Sequence, residues 1–139
     1  IPSGFLKSVQ KLVAGVQAEE QKGKALRTFP RKPEDSQLNF NANLDWNYRL
    51  IRASSRPFSG AYAFLNNTDT KVVIFKAERY SIDYDFSAIS GQIMDKYEDK
   101  SFLLAIGNAV LKVTDYSINN MSIDKSFQIV CNSMRNRLA

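Results

Sequence analysis

The side chains in this sequence best suited to chemistry are basic and lie in its first half: Arg27, Arg31 and Lys32, then Arg49, Arg52 and Arg56. The guanidinium group is a planar fork of donors that matches phosphate oxygens. Phosphate contacts position a nucleic acid without reading its sequence. Arg49, Arg52 and Arg56 are spaced i, i+3, i+7, so a helix projects them on one side for as long as it persists. Arg31, Lys32, Arg49, Arg52 and Arg56 are therefore the candidate nucleic-acid-binding residues. Two other roles compete for them. Asp45 stands four residues before Arg49 and is spaced to pair with it. One of the arginines can instead brace the turn at Pro57-Phe58.

No catalytic constellation accompanies them. The chain has no histidine and a single cysteine, Cys131. That excludes histidine acid–base catalysis, Ser-His-Asp and Cys-His nucleophiles, and Cys₄ or Cys₂His₂ zinc sites. Asp83 and Asp85 are two apart in a polar stretch, and Glu98-Asp99 is a charged turn. Paired carboxylates can serve as acid and base or hold a cation, but in such loops they are usually only solvated. Gly60, Gly91 and Gly107 are isolated and build no phosphate-cradling loop. Cys131 sits near an apolar helical face and reads as a small buried hydrophobe. No catalytic residue, metal site or resident cofactor is expected in these residues.

The chain has 139 residues, 44% of them apolar and 24% charged, which suits one domain with or without a short appendage. Its net charge is +5. Residues 1–79 hold 13 basic and 7 acidic side chains, and residues 80–139 hold 6 and 7. A basic half beside a neutral one suggests a patch that meets phosphates, although +5 is also an ordinary solubility charge. The longest apolar run is Phe102–Ile106, far short of the ~20 residues that cross a bilayer. There is no signal-peptide pattern. One free thiol fits a reducing compartment, so a cytoplasmic location without membrane contact is expected. The start at Ile1-Pro2, with no methionine, looks like a fragment or a processed chain.

The elements that must position these residues follow from periodicity. Phe5, Val9, Leu12, Val13 and Val16 predict an amphipathic helix over Gly4–Glu20, capped by Ser3, with Gly15 weakening its last turns. A polar linker follows over residues 19–24. Phe29–Asp35 has two prolines and should be extended and stiff. Leu38 and Phe40 give a short extended segment. Asn43 caps a second helix over Leu44–Ser54, which Pro57 stops. Strands are expected at Gly60–Leu65, Lys71–Tyr80, Gly91–Asp95, Ser101–Ile106 and Ala109–Tyr116. The first two are joined by the turn at Asn66–Asp69, and the last two by Gly107-Asn108. Ser122 opens a last helix on Ile123, Phe127, Val130 and Met134. The expected fold is mainly β with flanking helices: a small OB-like barrel of five to six strands, with one inserted and one C-terminal helix.

Several ordered segments carry a family resemblance. They are Pro30-Arg31-Lys32-Pro33-Glu34-Asp35, Leu38-Asn39-Phe40, and Leu50-Ile51-Arg52-Ala53 running through Pro57 to Ser59-Gly60-Ala61-Tyr62. Gly91-Gln92-Ile93, Ala105–Leu111, Met121-Ser122 and Asn136-Arg137-Leu138 follow. In this order they resemble the C-terminal domain of methionyl-tRNA formyltransferase and its relatives. Two departures stand out. The family's I-D-W reads Leu38-Asn39-Phe40 here and loses its carboxylate, and its G-D-G hairpin reads Gly107-Asn108-Ala109. The resemblance implies that residues 1–29 are the last helix and linker of a catalytic domain and that residues 30–139 are the OB-like domain. It implies a full-length enzyme that transfers formyl from 10-formyltetrahydrofolate to an amine, with the catalytic Asn, His and Asp in an N-terminal domain. The present chain would then not be catalytic by itself. Its partners would be that catalytic domain and, through the basic residues, tRNA. The alternatives are the C-terminal domain of a nucleotide-aminosugar N-formyltransferase and a non-enzymatic OB-like binding module. The net charge leans toward tRNA.

Overall fold

The computed structural model of the chain describes residues 3–133 and 135–139. They form two units, residues 1–30 and 31–139. The first unit contains helix α1, Ser3–Val13, and none of its residues is buried. The helix is shorter than the apolar rhythm through Val16 predicts, and Ser3 is inside it rather than before it. Gly15 is the reason for the early stop. It adopts φ +76°, and the N–H groups of Gly15 and Val16 return to the carbonyls of Leu12 and Lys11. This is a Schellman ending, which glycine favours because it has no Cβ to clash in the left-handed region.

The second unit opens with a 3₁₀ turn, Pro33–Ser36, where the prolines predicted extended chain. Pro33 suits the first helical position because its missing N–H would be unpaired there anyway. The Asp35 carboxylate accepts the Lys32 N–H at 2.8 Å and closes the turn. Leu38 then runs beside the next strand, its N–H donating to the Tyr62 carbonyl at 2.8 Å.

Helix α2, Leu44–Ser54, begins where Asn43 accepts the Trp46 N–H at 2.8 Å. Its inner face holds Leu50, Ile51 and the fully buried Asn47. Asn47 donates to the carbonyls of Asn39 and Asn43 and accepts the Asn39 N–H, so its amide pins the preceding segment to the helix. A buried amide with these partners avoids the desolvation cost of an unpaired one.

Five strands follow: β1 Ala61–Phe64, β2 Lys71–Tyr80, β3 Ile93–Lys96, β4 Phe102–Ile106 and β5 Ala109–Ile118. They form one antiparallel sheet in the order β1-β2-β5-β4-β3. The two tight hairpins form at the residues their turn chemistry indicates. Asn66 and Asn67 both have positive φ, and Gly107 has φ +60° beside the Ile106–Ala109 pair. Irregular register near Lys76 in β2 and Met94 in β3 lets the sheet coil. Helix α3, Ile123–Val130, starts at the Ser122 cap and closes the chain's last turn over β5. It ends at Val130, and the expected fourth apolar position, Met134, lies outside the described residues.

The sheet curls into a small barrel because its two edges share one partner. Residues 136–139 lie between β1 and β3. On one side Phe64 and Ala139 exchange N–H···O bonds at 2.7 and 2.8 Å, and Asn66 N–H reaches the Arg137 carbonyl at 2.7 Å. On the other side Leu138 N–H donates to the Gly91 carbonyl at 2.7 Å. Leu138 fills the core at 1% exposure. The Asn136 amide donates to the Val130 carbonyl and to Asn132 Oδ1, and its own oxygen accepts from Asn66. One side chain thus caps α3 and ties it to the β1–β2 turn. The interior is filled by Val72, Ile74, Leu104, Ile106, Leu111, Val113 and Ile118, with Phe102 edge-on to Tyr116 at 4.9 Å. No described helix is long and apolar enough to cross a membrane.

Two predictions follow from this packing. Gly91 has φ +94°, and a Cβ there would overlap the Leu138 carbonyl oxygen. Gly91→Ala should lower the urea unfolding free energy by about 1–3 kcal/mol with an unchanged slope. Cys131 is 3% exposed, and burial pushes its thiol up to about 11, with the Lys96 ammonium pulling weakly the other way. Between its unfolded value of 9.0 and about 11 the native thiol keeps a proton that the unfolded chain releases. Stability from this group is therefore full below pH 9 and falls as pH rises toward 11. Urea midpoints measured across that window should fall less in Cys131→Ala than in the parent. Iodoacetamide should label the native thiol far more slowly than the denatured one.

Candidate nucleic-acid interface

The five predicted basic residues do not form one row. Helix α2 ends at Ser54, so Arg56 leaves the i, i+3, i+7 register. Its guanidinium pairs with Asp115 on β5 and lies 4.0 Å from the centre of the Phe75 ring. Arg56 therefore fastens the segment after α2 to the barrel wall.

Arg52 lies on a second face of α2, with Asp45 and Tyr48. Its guanidinium stands 5.7 Å from the Tyr48 ring centre, and Arg79 from β2 stands 4.9 Å from the same centre. Asp45 was spaced to pair with Arg49, but it pairs with Arg79 at 2.7 Å. Position i+4 on a helix only permits a contact, and a strand residue brought alongside by packing wins this one. Arg49 is left exposed, with no ion pair among the described residues.

Arg31, Lys32 and Arg49 do converge. Trp46, Arg49, Leu50 and Ala53 share one helical face by their i, i+3, i+4, i+7 spacing. With Arg31 and Asp35 they line an open concavity of about 550 Å³. A second, of about 350 Å³, is lined by Arg31, Lys32, Pro33, Ala53, Phe58 and Ser59 among others. Arg31 and Ala53 line both, so the two adjoin in a trough along α2. The 3₁₀ turn positions its basic wall: Arg31 Nη2 donates to the Asp35 carbonyl at 3.3 Å, while the Asp35 carboxylate is engaged by the Lys32 N–H. Trp46 lines the first concavity and Phe58 the second, and they are 46% and 67% exposed. These aromatics are the part of the site that sequence reasoning missed. Their types were visible, but exposure is a property of the folded surface.

The acidic candidates gather no comparable site. Asp83 and Asp85 are exposed on the segment between β2 and β3. Asp99 is held below the usual carboxylate range by hydrogen bonds from Ser101, which makes it a turn-forming group. Tyrosines cluster nearby, where the Tyr97 hydroxyl donates to Tyr80 at 3.3 Å. That bond pushes Tyr97 up to about 12. The segment carrying Tyr80, Tyr84 and Tyr97 also carries Asp83, Asp85 and Asp95, with the Lys112 ammonium 5.0 Å from the Tyr97 ring centre. Among the described residues no group of three or more Cys, Asp or Glu is placed to hold a metal.

Residues 31–129 match the family model described as formyl transferase, C-terminal domain. No curated protein matched the chain. The match covers more than half of the sequence and spans the 3₁₀ turn, α2, all five strands and nearly all of α3. It agrees with the mainly β, barrel-like architecture and contains the segments that carried the resemblance, apart from Pro30 and Asn136-Arg137-Leu138. The chain belongs to the formyltransferase C-terminal domain family.

Proposed function

We propose that this domain is the accessory, substrate-holding part of a formyltransferase that moves a formyl group from 10-formyltetrahydrofolate to an amine, and that the amine is carried by a tRNA of the methionyl-tRNA type. The observation that carries the reading is the convergence of Arg31, Lys32 and Arg49 on one open trough within a formyltransferase C-terminal domain. A cationic trough whose only carboxylate is engaged in its own turn attracts a polyanion and holds it without sequence choice.

In this reading residues 1–29 belong to the end of the catalytic domain, which is the partner of the barrel within one protein. The donor and the reacting groups lie in that domain. The trough residues fit phosphate recognition rather than the donor: they are cationic and solvent-facing, and no histidine stands among them to shuttle a proton. The barrel's contribution is to hold the acceptor in register with a reaction centre elsewhere. Such positioning lowers the entropic cost of bringing two large reactants together. A cytoplasmic location accords with that role.

Filter binding of tRNA across a salt series tests the proposal. Log K should fall with log[salt], and Arg31→Ala, Lys32→Ala and Arg49→Ala should each reduce the slope by roughly 0.7–0.9. Arg56→Ala should leave the slope unchanged and cost about 1 kcal/mol of stability, because its ion pair is exposed and its contact with Phe75 is a surface one. No tRNA binding at low salt, or an unchanged slope in all three trough variants, would refute the proposal.

A further inference from the structure

We infer that the trough between Trp46 and Phe58 is a stacking groove for an unpaired stretch of RNA, with bases on the two aromatic rings and the intervening phosphates on Arg49, Arg31 and Lys32. The inference rests on the reading that this domain contacts RNA. It adds that the contacted part is single-stranded.

Three features lead to it. Large aromatic side chains exposed on a basic surface need an explanation, since neither Trp46 nor Phe58 packs on another aromatic ring among the described residues. They bracket a line of cations instead of lying apart. The seven helical steps from Trp46 to Ala53 span ~10 Å, and Phe58 lies beyond, so a strand must extend along the groove to touch both rings. Single-strand sites combine these same parts: a cationic groove that follows the backbone, and aromatic faces that stack bases of any identity. A duplex keeps its base faces within its own stack and can offer the groove only phosphates.

The occupant follows from charge. Arg31, Lys32 and Arg49 oppose a single carboxylate, Asp35, which already accepts a backbone N–H. The floor at Ala53 is small enough to let a backbone approach. The tyrosine cluster of Tyr80, Tyr84 and Tyr97 has Asp83, Asp85 and Asp95 among its neighbours, whereas the α2 trough sets three cations against one carboxylate.

Trp46 is the sole tryptophan in the chain, so its emission reports on this groove directly. The full chain should be titrated at low salt with a 12-nucleotide oligoadenylate, and with the same strand paired to oligouridylate. The single strand is expected to quench Trp46 and to bind at least fivefold more tightly than the duplex. In anisotropy measurements with labelled oligoadenylate, Trp46→Leu and Phe58→Ala should each weaken binding about fivefold or more. Both should leave duplex binding and the urea midpoint unchanged. Equal binding of strand and duplex without quenching, or full affinity in both ring variants, would overturn the groove while leaving a backbone-only contact with tRNA intact. Failure of oligoadenylate, duplex and tRNA alike to bind would overturn both readings.

Discussion

The barrel depends on how its two free edges are paired. A five-stranded antiparallel sheet leaves β1 and β3 each with a row of unmatched backbone groups, which in water are a cost in order and a template for aggregation. Residues 136–139 bridge the two edges, exchanging hydrogen bonds with Phe64 and Asn66 on one side and Gly91 on the other, while Leu38 pairs with Tyr62 farther along β1. The approach is so close that only a residue without a Cβ serves at position 91. With the edges joined, Leu138 becomes a core residue and the sheet wraps around a single interior.

Closure also distributes constraint to the helices. Asn136 caps the end of α3 through the Val130 carbonyl and reaches Asn66 in the first hairpin turn. Near the start of the second unit, Asn47 performs the matching task for α2 by pinning Asn39. Two buried amides therefore fix two helices to one barrel. Both are expensive to bury unpaired, so each selects the arrangement in which all its partners are present.

The trough gains its geometry from this anchoring. Because the inner face of α2 is held by Leu50, Ile51 and Asn47, its outer faces are assigned. One presents Trp46, Arg49 and Ala53 to the 3₁₀ turn, and the other presents Asp45, Tyr48 and Arg52 to β2. The second face neutralises part of its charge by pairing Asp45 with Arg79, and Arg56 is consumed by Asp115. On the first face Arg49 stands without an ion pair among the described residues, beside Arg31 and Lys32, and on the second Arg52 likewise has none. Of the five candidate residues, Arg31, Lys32 and Arg49 line the trough, Arg52 lies on the second face of α2, and Arg56 pairs with Asp115.

The sequence by itself determined much of the local structure, because local structure answers to local chemistry. Asn43 and Ser122 announced their helices, Asn66-Asn67 and Gly107-Asn108 their turns, and the β-branched run at Val72–Ile74 its strand. The absence of histidine likewise excluded histidine acid–base catalysis before any fold was known. Gly15 and Pro33 were visible but ambiguous, since glycine can weaken a helix or end one and proline can stiffen a strand or start a turn. Tertiary structure alone decided which ion pairs form, which aromatics stay in water, and that the last four residues complete the sheet. These outcomes join residues tens of positions apart, such as Gly91 with Leu138, Asp45 with Arg79 and Arg56 with Asp115. Their energies exist only once a packed core has brought the partners within a few ångströms, and no periodicity along the chain encodes that distance.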